Sequence, residues 1–433
     1  MALDTFEKHN QRDRIKGHME KELFEKALRG FYRTGCFHIY LAGYFDPDLI
    51  KMSRADLGTF LHEYVHYLQN ISTPYGIFEA SALNEAAVET FIDIEPKNEI
   101  ELPYDAPQSK MLKGRLEWLQ IMDGQGVNNS DEYIQVDENK NILWGVTKQS
   151  IAGREGRLIA FEFYDKAGKT HHRFIGARDI KEAMAAAYQS LIDIDAKHPD
   201  IPYNLVRIFC KQTFPIVGND VKKFICLCYT ALFSLEPAYH FIDLCQKAEN
   251  QKEKTGSQFF DEYLIDHKIM VRGRWITVPE HFNMMLEQYR QSIEGLIRCE
   301  MPYINSLLES VRLENGNVPL LNVINTDSPF SVDNIQALVR ALGIPYMHAQ
   351  NRGWFFPSME GEGASDVVKL VGDTWLYQFL INKDDVKKCV CPLANMCGQK
   401  GTYCYDQPWL ERNCAFELLG DEIGLKNKKI IIK

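Results

Sequence analysis

The 433-residue sequence has no low-complexity tract, no internal repeat, no run of like charge and no basic stripe. Those absences exclude collagen-like, coiled-coil and solenoid architectures, and they leave no footprint for nucleic acid or an anionic membrane surface. Long apolar runs are missing too. The best window, Phe224 to Leu235, covers 12 residues, against the roughly 20 that a bilayer-crossing helix needs. The opening residues MALDTFEKHNQRDR carry charges where an export signal has its apolar stretch, so a soluble, cytoplasmic protein is expected. What is present is ordinary globular composition, 45% hydrophobic and 25% charged, enough to bury a sizeable core. With 49 Lys and Arg against 59 Asp and Glu, the net charge of −10 points to small, peptidic or protein partners.

At roughly 100–200 residues per domain, the chain has room for two or three packed units. Periodicity predicts an α+β fold, mostly helical with a small β component. An early helix is expected near Glu20 to Arg29, then a strand at Cys36–Leu41, whose residues are aromatic and β-branched. Ser53, three residues before Asp56 and just ahead of an apolar run, marks the start of a helix over about Arg54 to Asn70. A second helix follows over about Ile77 to Ile94, and residues 95–126 give no clear signal. Segments between Tyr133 and Ile175, separated by turn residues, look like two successive hairpins. Helices are expected again at 179–194, 203–214, 219–234, 282–312 and 332–342. Proline-containing breaks near 199–202 and 345 suggest a unit over 1–200, a helical unit over 201–345 and a Cys-rich unit over 346–433.

The chemistry is concentrated in residues 62–66, His62-Glu63-Tyr64-Val65-His66, which fall inside a predicted helix. Positions i and i+4 lie on one helical face, so both imidazoles can reach a single Zn²⁺ at about 2.0–2.1 Å. Glu63 then flanks the metal, placed to take a proton from a water whose pKa the metal lowers to about 7 and to pass it to a leaving amine. The surrounding Thr59, Phe60, Leu61, Tyr64, Val65, Tyr67 and Leu68 are all uncharged, so the helix is buried nearly all round. Two His and a Glu buried without partners would cost several kcal/mol, a cost that a shared metal removes.

The stretch T-F-L-H-E-Y-V-H-Y-L resembles the active-site helix of zincin metallopeptidases, with a strand ahead of it as in that fold. The resemblance covers about 15 residues and implies a zincin-like N-terminal unit that hydrolyses peptide bonds. It implies a Zn²⁺ held by His62, His66 and a third protein ligand, with Glu63 as general base. It also implies an oxyanion-stabilising Tyr, His or Arg, which no motif locates; His171, His172, Tyr188 and His240 are candidates, each with an ordinary structural reading beside it.

Two residues compete for the third ligand. Glu85 follows His66 after 18 residues, in an N-E pair similar to that of the glutamate zincins, and its helical projection puts it among Ile77, Phe78, Ser81, Val88 and Ile92. Glu182 lies on a helix whose small face includes Ala185 and Ala186, in an arrangement similar to the distant glutamate ligand of divergent HExxH proteins. Resemblance favours Glu182 and projection favours Glu85; Glu182 is taken as the third ligand, with Glu85 its competitor and an Asp or His elsewhere left open. If Glu182 binds, Glu85 is placed to orient a ligand histidine through its second nitrogen.

The sequence has 11 cysteines, and five of them, Cys389, Cys391, Cys397, Cys404 and Cys414, crowd into 26 residues near the C-terminus. Without an export signal they read as reduced thiols, able to hold a second, structural Zn²⁺ or an iron–sulfur cluster, although no familiar finger or ferredoxin spacing matches. The expectation is a zinc metallopeptidase acting on a specific protein or peptide, with a regulatory partner possible in principle. Two rivals stand beside it: a non-catalytic, metal-stabilised binding protein, and a metal-dependent amidohydrolase with a non-peptide substrate.

Overall fold

The computed structural model describes residues 30–106, 108–126, 134–313, 318–325, 329–349, 358–359, 362–363, 365–382, 409 and 416–432. The helix expected near Glu20 to Arg29 lies outside them. The fold is α+β, 59% helical and 16% strand in small sheets, as the periodicity implies. Among the described residues, no helix is long and apolar enough to cross a membrane.

Strands β1 (Gly30–Arg33) and β2 (His38–Leu41) form an antiparallel hairpin ahead of helix α1 (Arg54–Ser72). The Ser53 side chain starts α1 by accepting the Asp56 N–H at 3.1 Å while donating to the Asp56 carboxylate at 2.7 Å. From Leu57 onward α1 is buried at every position except His66, because β1, α2 and α4 pack around it. Helix α2 (Pro74–Ile94) begins with Thr73, whose hydroxyl accepts the Gly76 N–H at 3.1 Å, and with a proline that needs no donor in a first turn. The corner between the two helices is tight: a Cβ on Gly76 would lie 2.2 Å from the Gln69 carbonyl oxygen. Only glycine lets the chain turn back so closely.

Residues 95–126, silent in the sequence, form strand β3 (Glu99–Leu102) and helix α3 (Lys110–Met122). Strands β4 (Leu143–Ile151), β5 (Arg154–Tyr164) and β6 (Thr170–Ile175) then make one antiparallel meander. This differs from the two hairpins expected, since the first segment contributes only a bridge between Val136 and Asp165 among the described residues. Strand β6 leads directly into helix α4 (Ala177–Ile192). The junction is pinned by Asp179, which accepts the Gly176 N–H at 3.1 Å and the Arg173 guanidinium at 3.0 Å, with both side chains almost wholly buried. Arg173 also donates to the Gln125 and Gly126 carbonyls, so the start of α4 is fixed to two neighbouring segments.

Helices α5 (Leu205–Thr213), α6 (Val221–Ala231), α7 (Pro237–Asn250) and α8 (Gly256–Asp266) follow, then a hairpin of β7 (Lys268–Val271) and β8 (Arg274–Thr277). The helix expected over 282–312 is two helices, α9 (Val278–Ile297) and α10 (Pro302–Ser310). Arg298 ends the first at a left-handed φ of 51°, and Pro302 opens the second. After α11 (Val332–Leu342), strand β9 (Tyr346–Ala349) returns to pair in parallel with β2, giving the order β1-β2-β9. Helices α12 (Ser365–Ile381) and α13 (Phe416–Glu422) precede β10 (Lys429–Ile432), which pairs in parallel with β3. Strands from the first and last of the three expected units therefore share sheets. One apolar cluster, including Phe60, Tyr188, Leu286 and Trp375, runs through all three.

Candidate metal centre

Helices α1 and α4 lie side by side, and the small side chains of α4 allow the approach: Ala183, Ala185, Ala186 and Ala187 are all buried. On the α1 side Gly58 meets Gln189 and Asp193. At this crossing His62 Nε2, His66 Nε2 and Glu182 Oε2 stand 3.2 Å from one another. Tetrahedral zinc with bonds of about 2.0–2.1 Å holds its ligand atoms about 3.3 Å apart, so the donor set of two imidazoles and one carboxylate suits that ion in both spacing and chemistry. No other group of His, Cys, Asp or Glu among the described residues converges in this way. The site opens to solvent from the α4 side, where the Glu182 side chain keeps 23% of its exposure against 7% for His62.

Glu63 is outside the ligand set and buried beside it. Burial pushes its carboxyl above the ordinary range, the His62 and His66 imidazoles draw it partly back, and the Glu182 carboxylate adds to the rise. It accepts a backbone hydrogen bond from Tyr32 of β1. Strand β1 comes this close because Gly30 has no side chain: a Cβ there would lie 3.0 Å from Glu63 Cγ. For Glu182, burial alone would raise the pKa, but His66 and His62 outweigh it and hold the carboxyl well below its usual range. For His66, burial is the largest single influence and opposes the charge, but Glu182, Glu63 and Gln69 together outweigh it and hold the imidazole up at about 8. The arrangement can therefore trade protons for a cation, with a carboxylate of elevated pKa at hand to act as a base.

The other residues singled out in the sequence are engaged elsewhere. Glu85 accepts from Arg115 at 2.5 Å, and the Arg115 guanidinium also lies over the Phe78 ring. It neither joins the ligand group nor touches a ligand histidine; the group on the second nitrogen of His66 is Gln69. His171 pairs with Asp165 at 2.9 Å, His172 faces Glu162, Tyr188 donates to the Leu320 carbonyl at 2.6 Å, and His240 packs against the Tyr263 ring. Cys389, Cys391, Cys397, Cys404 and Cys414 lie outside the described residues. Cys36, Cys210, Cys226, Cys228, Cys245 and Cys299 are free thiols.

Sequence reasoning missed the residues that wall the centre. The rings of His198 and Tyr203 lie 5.6 and 5.7 Å from that of His62 and 4.8 Å from each other. Both belong to the connection after α4, where Pro199 and Pro202 read only as a boundary. No family model, curated protein or solved structure matches the chain.

Proposed function

We propose that the protein is a zinc-dependent metallopeptidase that hydrolyses a peptide bond in a specific protein substrate. The observation that carries this reading is the convergence, among the described residues, of three protein ligand atoms beside a buried glutamate that is not itself a ligand. Three protein ligands are the number that catalytic zinc uses, while structural zinc is closed by four. Zinc bound there would lower the pKa of a coordinated water to about 7 and polarise the scissile carbonyl. Glu63 takes the proton from the attacking water and later delivers it to the leaving amine. His62 and His66 offer Nε2 lone pairs from one helical face, and Glu182 offers a carboxylate from α4. The His198 and Tyr203 rings pack against His62 and would flank a substrate bound at the metal.

The direct test is to strip metal with a chelator, restore zinc, and search a proteome digest and an intact lysate for new termini by mass spectrometry. Cleavage by the zinc-loaded protein alone is the expected result. Stoichiometric zinc uptake with no new terminus in either mixture would remove the peptidase assignment.

Zinc uptake is also expected to depend on pH in a defined direction. His66 is held up at about 8 in the metal-free protein, so below that value it carries a proton that a metal must displace. Calorimetry at about pH 7 in buffers of different ionisation enthalpy should register close to one proton released per zinc, and the apparent affinity should fall as pH is lowered. A proton count near zero at that pH would contradict the ion pair between His66 and Glu182.

A further inference from the structure

We infer that Gln69 is a positioning residue that fixes His66 in the tautomer a metal requires and ties together the two helices that carry the ligands. The inference rests on the metal reading of the site, although the hydrogen-bond geometry exists without it. Gln69 is fully buried on α1, one turn beyond His66. Its Nε2 lies 3.0 Å from the Lys181 carbonyl oxygen, and its Oε1 lies 2.9 Å from His66 Nδ1.

The direction of the chain of bonds follows from which groups can donate. A backbone carbonyl only accepts, so the NH₂ end of the Gln69 amide must face Lys181. The oxygen end is then turned to His66, and because it too only accepts, His66 Nδ1 must carry the proton. The remaining displaceable proton is then the one on Nε2, the nitrogen 3.2 Å from both His62 Nε2 and Glu182 Oε2, and a metal that replaces it meets the Nε2 lone pair. The flipped amide would set two acceptors against each other at Lys181. Lys181 immediately precedes Glu182, so the same amide that orients His66 also grips the turn of α4 carrying the third ligand.

Gln69 is itself held in place. Its carbonyl accepts the Thr73 hydroxyl at 2.7 Å, and the Gly76 corner closes over it. His62 contrasts with this, since its Nδ1 is buried with no hydrogen-bond partner among the described residues and its ring packs against His198. The relevant sequence pattern is therefore H-E-x-x-H-x-x-Q, His62 to Gln69.

The test uses the full chain with Gln69→Met, which keeps length and removes both bonds, and Gln69→Glu, which keeps an acceptor for His66 Nδ1. Zinc affinity is measured by competition with a chelator. The His66 tautomer is read from ring nitrogen shifts in the metal-free protein, above the value of about 8 near which this imidazole is held. Gln69→Met is expected to weaken zinc about 10–100-fold, the usual effect of losing an outer partner of a ligand histidine, and to mix the two His66 tautomers. Gln69→Glu is expected to keep the Nδ1–H tautomer while losing the bond to Lys181, so that its affinity lies between those of Gln69→Met and the parent. Parental affinity and an unchanged His66 spectrum in Gln69→Met would overturn the inference, as would a Gln69→Glu variant no better than Gln69→Met. If the parent takes up no zinc, the metal reading fails on that result alone, while the His66 spectra of parent and variants still decide whether Gln69 sets the tautomer.

Discussion

Replacing Glu63 with glutamine is expected to abolish hydrolysis while leaving zinc bound and the fold at least as stable. The expectation follows from three separate properties of the residue. Glu63 is not among the ligand atoms, so its loss leaves His62, His66 and Glu182 able to hold the ion. Its role is proton transfer, which a carboxamide cannot perform, and removal of a positioned general base lowers rates about 10²–10⁴-fold, or about 3–5 kcal/mol of transition-state stabilisation. Its carboxyl is raised by burial, meaning that the folded state disfavours the charged form, and a neutral amide of the same shape relieves that penalty while still accepting from Tyr32. The metal-free variant should therefore melt at or above the parent, the pattern of a residue kept for chemistry at some expense of stability. Parallel measurements of zinc content, melting temperature and turnover check all three. Unchanged turnover would remove Glu63 from the mechanism, and loss of zinc would mean that it helps hold the metal.

Much of this centre could be read before the fold was known, because its parts are local. The helix carrying His62 and His66 announces itself through Ser53 and Asp56 at its start and an apolar surface nearly all round, and it runs Arg54–Ser72 where Arg54 to Asn70 was expected. Long-range placement was not legible in the same way. The parallel pairing of β2 with β9 joins residues about 300 apart, and nothing in either four-residue strand specifies the other. Helices α7 and α8 escaped notice because the link between them, Asn250 to Thr255, is polar and their own apolar positions are interrupted by His240, Asp243 and Asp261. Projection put Glu85 on an apolar face and so favoured it over Glu182, since helical projection gives the direction of a side chain but not its partner. Arg115, on a helix in a segment that gave no signal, answers the Glu85 carboxylate, and only the tertiary fold brings the two together.

That division makes the second large effect a comparison between the two glutamates. Glu182→Ala should lose the zinc that His62→Ala also loses, and Glu85→Ala should keep it. Glu182 supplies an anionic oxygen to the ligand set, so its removal takes away both a ligand atom and the charge that offsets the cation. The expected loss exceeds the roughly 10–100-fold that follows removal of an outer partner alone. The same substitution has a signature that needs no metal. The Glu182 carboxylate leads the groups that offset burial at His66 and hold its imidazole at about 8, so in Glu182→Ala the His66 titration should move down, and by enough to follow by proton NMR. Glu85→Ala should leave that titration where it is and cost about 0.2–1 kcal/mol, the ordinary value of a partly exposed ion pair. Zinc retained in Glu182→Ala and lost in Glu85→Ala would reassign the third ligand. Comparing each variant with His62→Ala, rather than with total metal, separates this site from any ion held by Cys389 to Cys414.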